Sequence, residues 1–239
     1  MVSAARKATF PAAGGNRPAV PDRCHLTARA YGADTAGTPR AGVPTGPRGQ
    51  EAPRDHRPSR AGEPGIEAVA EALASRGAAG IAHPGGTLLA HLERVHALLT
   101  EWGARPALRL AGLCHAWYGT DGFQPALGDP HRREELAAIT GAEAERLVYV
   151  YASCDRRFSY PHLAKRAGPF KDRFTGTVHR PPLRLRRDFA ELTAANELDI
   201  AAVNPDLRAQ HGQDLLRLFT SWQALLSDAA WQATQATLR

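Results

Sequence analysis

HPGGTLLAHLERVHALLTEWG, residues 83–103, and ALRLAGLCHAWYGTDGF, residues 107–123, are consecutive apolar segments whose reading sets the fold class. Placed at about 100° per residue, Leu88, Leu92, Val95, Leu99 and Trp102 fall on one face of the first, with Glu93, Ala97 and Glu101 opposite. The period is helical, and Thr87 stands where an N-cap belongs. His91 lies inside the apolar arc beside Val95, Leu98 and Trp102, and His96 lies on its other margin. Pro106 opens the second helix, which runs from Ala107 to about His115 and is apolar on nearly all sides, the pattern of a deeply buried element. Gly119 marks its end. His91 and His115 are 24 residues apart on two core helices. An unsatisfied imidazole among leucines costs roughly 1–3 kcal/mol, so each must hydrogen-bond or hold a metal. Together they point to one polar site inside a helical domain.

The same periodicity extends outward in both directions. IEAVAEALASRG, from Ile66, reads as a helix ended by Gly77. Downstream, Asp129-Pro130 is expected to start a short helix, and a longer one runs from Gly141 to about Cys154. Residues 155–183 hold several Pro and Gly and read as a long loop. Arg184–Val203 and Asp206–Leu226 read as helices, followed by a short final one. No run of β-alternation stands out. Residues 66–239 are therefore expected to form an all-α domain without internal repeats. Residues 1–65, rich in Pro, Gly, Ala and Arg, show neither apolar period and read as a disordered tail.

Charge is unevenly spread. Of the 30 Lys and Arg and 24 Asp and Glu, residues 1–65 carry 10 and 5, leaving 20 and 19 for the rest. A nearly neutral domain argues against nucleic acid as its partner, despite the basic chain as a whole. Three scattered cysteines do not make a disulfide framework. The sequence shows neither a membrane-spanning run nor the apolar core of a secretory signal. The expectation is a cytoplasmic protein with no membrane partner.

Two constellations carry chemistry. The first is His91 with His115, to which His83, Asp121, and Asn196 or Asp199 would add ligands for a divalent ion. The alternative is a pair of core histidines satisfied by hydrogen bonds. The second is the run 155–187, with 10 Lys or Arg against 2 Asp. Arginine in a glycine-containing loop suits bidentate binding of phosphate or carboxylate, so a small anionic molecule is the expected partner, a solvated loop being the alternative. Tyr118, Arg156, Arg173 and Thr175 are the candidates to contact it. No phosphate-binding glycine motif and no serine or cysteine nucleophile signature is present.

HAWYGTDGF at 115–123 and GAEAERLVYVYASCD at 141–155, with RFTG at 173–176 and ANELD at 195–199, resemble an uncharacterised HD-like domain family over His83–Asp155 and two later islands. More distantly, His91 followed by LCHAWYGTDG is similar to the HD metal-dependent phosphohydrolase superfamily. The resemblance implies an HD-domain-like helical bundle in which His91 and His115 are metal ligands. It also shows two departures: Ala116 stands where HD enzymes place their first Asp, and Asn196 where a later helix supplies another. What it implies is a hydrolase of a small anionic, phosphorylated compound, with a divalent transition metal (iron, manganese or zinc) held by His91, His115, His83 and Asn196. Asp121 would be the catalytic carboxylate. The alternative is a degenerate, non-catalytic ligand-binding module. The substrate and the oligomeric state stay open.

Overall fold

The computed structural model describes residues 65–239, so the expected disordered tail lies, but for Gly65, outside the described residues. The first four elements are helix α1 (Ile66–Ser75), the two-residue strands β1 (Ala82–His83) and β2 (Gly86–Thr87), and helix α2 (Leu88–Glu101). Then come α3 (Pro106–Cys114), α4 (Arg133–Thr140), α5 (Ala142–Ser153) and the single turn α6 (Arg156–Ser159). Strands β3 (Phe170–Lys171) and β4 (Val178–His179) precede α7 (Leu183–Val203), α8 (Pro205–Ser221) and α9 (Asp228–Leu238). The fold is all-α; the strands form only two short antiparallel ladders, β1 with β2 and β3 with β4. Among the described residues, no helix is long and apolar enough to cross a membrane.

Helix α7 is the axis of the molecule. Nearly every residue from Leu185 to Ala201 is buried, and α2, α3, α5, α8 and α9 all pack on it. Alanines at 190, 194, 195 and 201 let those neighbours approach. Its buried polar residues, Arg186, Asp188, Glu191, Thr193, Asn196, Glu197 and Asp199, must then find partners, because burial without them is costly.

The first two core helices form as their sequence dictates. Thr87 caps α2 by accepting the Ala90 N–H at 3.2 Å, and the buried face is Leu88, His91, Leu92, Val95 and Leu99. On α3, Gly112 faces that stripe; a Cβ there would lie 2.5 Å from Leu99 Cδ1. The absent side chain lets α3 cross α2 closely enough to bring His115, just past its end, against His91.

The structure departs from the sequence reading in three places. Asp129-Pro130 does not start α4: the Asp129 carboxylate accepts the His131 N–H and makes a turn, and the helix begins at Arg133. The helix expected over 206–226 ends earlier, at Ser221, because Trp222 turns into the core and donates its indole N–H to Tyr160 O. The expected short final helix follows as α9, capped by Ser227. Residues 155–183 are more ordered than a loop. Asp155 N–H donates to Lys171 O, and Arg186 Nη1 donates to Leu163 O and Lys165 O, tying the segment to α7. Arg156 and Arg186 are buried, so the basic run is not a uniformly solvated face.

Candidate functional site

The predicted histidines converge. His91 (α2) and His115 are 0% and 2% exposed, and their Nε2 atoms stand 3.3 Å apart. His83, at the end of β1, stacks on His91 with ring centroids 4.0 Å apart. From α7, Asn196 Oδ1 lies 3.1 Å from His91 Nε2. His83, His115 and Asn196, with Leu88, Ala116, Thr120, Phe123 and Arg156, line a small pocket with room for about one water.

Hydrogen bonds set the orientation of each donor atom. His115 Nδ1 lies 2.8 Å from Gly112 O, and a carbonyl can only accept, so the proton sits on Nδ1. His91 Nδ1 donates to Asp199 Oδ2 at 2.6 Å. The amide of Asn196 donates through Nδ2 to Glu197 Oε1 at 3.2 Å, which turns its oxygen towards His91. When His91 is neutral, three lone pairs (His91 Nε2, His115 Nε2 and Asn196 Oδ1) face one another with no proton among them. A cation, a proton on one of the Nε2 atoms, or a donor such as water relieves that arrangement. These are the atoms available to a metal. Among the described residues, no group of three or more His, Cys, Asp or Glu stands ready for one, and an amide oxygen takes the third place here.

Behind the cluster, Asp199 also accepts from Arg94 Nε at 2.6 Å and Nη2 at 2.9 Å. Burial opposes its ionisation, but the bonds from His91 and Arg94 hold its carboxyl below the usual carboxylate range. Arg156, 5% exposed, forms the opposite wall. Its guanidinium donates to Glu197 Oε1 and to the Tyr151 hydroxyl, each at 3.3 Å, and its backbone N–H donates to Asp121 Oδ2 at 2.9 Å. Asp121 therefore braces the turn that carries Arg156.

Three other residues singled out in the sequence lie apart from this cluster. Tyr118 donates its hydroxyl to Glu145. Arg173 donates Nε to Ala152 O and stacks on Phe174. Thr175 is exposed and bonded to Thr177. Sequence reasoning weighed Asp199 as a ligand but did not see its role beneath His91, and it missed Arg94 and Glu197. Asp199 and Glu197 lie in the same ANELD segment as Asn196; charged residues in the middle of a buried helix were the available signal. Cys114 and Cys154 are fully buried and their thiols are pushed well up by desolvation, which leaves them unreactive at neutral pH.

Burial, reinforced by the nearby His91, lowers His115 to about 3, and His83 also falls to about 3. Both are neutral in the fold but titrate near 6.5 in an unfolded chain. Below that value the unfolded chain takes up protons that the folded chain excludes. Stability is thus full above about pH 6.5 and is lost as the pH falls towards about 3. For His115 the slope approaches about 1.4 kcal/mol per pH unit. The urea midpoint of metal-free protein is expected to drop between about pH 6.5 and 4.5, and less steeply in His115→Asn. Equal slopes in the two proteins would contradict a neutral, buried His115.

Residues 72–156 match the model of a family described as a domain of unknown function, DUF6817. That match carries no link to the HD superfamily. The matched segment holds His83, His91, His115, Asp121 and Arg156, whereas Asn196, Glu197 and Asp199 lie beyond it on α7. Comparisons with curated proteins and with solved structures gave no match.

Proposed function

We propose that the chain is an HD-like, metal-dependent hydrolase acting on a small anionic, phosphorylated compound. The observation that carries the reading is the convergence of His91 Nε2, His115 Nε2 and Asn196 Oδ1, each oriented by a partner on its far side. Two ligands about 2.1 Å from one ion and roughly a right angle apart are themselves about 3.0–3.4 Å apart. The observed separations of 3.3 and 3.1 Å fit. Asp199 on Nδ1 of His91 supplies the outer partner that fixes a ligating imidazole.

A bound divalent ion would supply Lewis acidity and an activated water. The chain's own residues supply the rest. Arg156 faces the cavity and offers a planar fork to phosphate oxygens. Phe123 and Leu88 exclude water from its apolar side. Asp121 holds the backbone of Arg156 in place.

One observation favours a second reading. The converging donors carry no carboxylate, since Ala116 lines the cavity where an HD enzyme has Asp. A neutral donor set holds a divalent ion weakly. In that reading His91 carries a proton on Nε2, shared with His115 and Asn196, and the pocket binds an anion without catalysis.

Elemental analysis of the full chain after reconstitution with Mn²⁺, Fe²⁺ or Zn²⁺ separates the two. The hydrolase reading expects about one equivalent of metal, lost in His91→Ala with His115→Ala, and phosphate release from p-nitrophenyl phosphate by the loaded protein. A folded wild-type protein that takes up no metal yet binds inorganic phosphate would leave the non-catalytic pocket.

A further inference from the structure

Glu197 is used by neither ligand of the proposed site, yet it touches both halves of the pocket. It is buried in the middle of α7, 6% exposed, and one oxygen, Oε1, accepts from two donors. The first is Asn196 Nδ2 at 3.2 Å; the second is Arg156 Nη1 at 3.3 Å. The first bond decides which end of the Asn196 amide faces His91. Without an acceptor on that side, the amide is free to turn, and an NH₂ facing His91 Nε2 and His115 Nε2 would repel a cation. The second bond holds the Arg156 guanidinium and offsets its charge beside the cavity. Its carboxylate charge favours a cation in the pocket and opposes an anion there, because Coulomb interactions are strong where water is excluded.

We infer that Glu197 is a positioning residue that couples the two halves of the pocket, orienting Asn196 for a cation and restraining Arg156 towards an anion. This rests on the cation-and-anion reading of the site given above. Its signature is an opposite movement of two affinities. A merely structural role would weaken both together.

The test titrates Mn²⁺ alone and inorganic phosphate alone into the full chain, as wild type and as Glu197→Gln. Mn²⁺ is expected to bind about 10-fold more weakly in the variant, as for loss of an outer-shell partner. Phosphate is expected to bind about three- to tenfold more tightly, since Arg156 has lost an offsetting charge. Affinities that fall together, or that do not move, overturn the inference while leaving the site reading intact. A wild-type protein that binds neither probe overturns both.

A second variant guards against a folding failure. Arg156→Met with Glu197→Leu replaces a buried ion pair by apolar groups, a change that proteins often tolerate without loss of stability. It removes both charges together, so any effect on Mn²⁺ comes from the lost hydrogen bond to Asn196. Mn²⁺ affinity is expected to fall several-fold and phosphate binding to disappear. Unchanged Mn²⁺ affinity would overturn the orienting role.

Discussion

Asp199→Asn is expected to weaken Mn²⁺ or Zn²⁺ binding by about 10- to 100-fold and to lower the stability of metal-free protein by about 2–3 kcal/mol. Asp199 is 4% exposed and makes three short contacts: His91 Nδ1 at 2.6 Å and Arg94 Nε and Nη2 at 2.6 and 2.9 Å. All three partners are donors. A carboxylate meets them with two acceptor atoms, but an asparagine has one oxygen and turns an NH₂ towards the others. Whichever way the amide points, a buried donor faces a donor. If that donor is His91 Nδ1, the imidazole gains by moving its proton to Nε2, which removes the lone pair facing His115 and Asn196. The affinity loss thus comes from the tautomer, not from a lost ligand. Calorimetric titration with Mn²⁺ reads the first effect and urea denaturation the second. A large stability loss with unchanged Mn²⁺ affinity would reduce Asp199 to a core ion-pair partner and remove the orienting argument from His91.

How much of this was legible in the sequence depends on which residues carried a periodic signal. The helices α2 and α3 were, because their apolar stripes repeat at helical spacing and Thr87 and Pro106 mark their starts; α3 ends at Cys114, short of the Gly119 that sequence suggested as its stop. His91 and His115 were legible for the same reason: a polar residue on an apolar face stands out. Helix α7 was legible as a helix but not as the axis. Its stripe is blurred by Arg, Asp and Glu on faces that turn out to be buried, and only their partners make that burial affordable. Those partners, Arg94 and Arg156, lie 105 and 41 residues away from Asp199 and Glu197, and no local pattern joins them. Residues 155–183 read as a loop in sequence because what order they have comes from short turns and single long-range bonds, such as Arg186 to Leu163 O, not from a repeating face. The separate final helix was legible, but α8 ends at Ser221, short of the expected Leu226, because Trp222 turns into the core and helical periodicity does not mark that turn.

Ala116→Asp should make the stability of the protein depend on metal. Ala116 is 1% exposed and shares the cavity wall with His115, Asn196 and Arg156. Without a cation, an aspartate there is a buried carboxylate added beside donor atoms that are themselves acceptors, with Arg156 already engaged by Glu197. Such a group costs several kcal/mol or stays protonated, so metal-free protein is expected to lose about 2–4 kcal/mol. With a divalent cation the same carboxylate supplies the negative charge that the wild-type donor set lacks, and affinity should rise by at least about 10-fold. Ligand binding to the folded state adds to stability as the ratio of free metal to Kd grows, so the rise in Tm on adding Mn²⁺ should be larger in the variant than in wild type. The two readings of the pocket part at this point. If His91 carries a proton and the site never takes a metal, the new carboxylate pairs with that imidazolium. The variant is then equally stable with and without Mn²⁺, and its phosphate binding falls. A Tm that responds to Mn²⁺ more in Ala116→Asp than in wild type points to a cation beside His115 and Asn196, which line the same pocket as position 116.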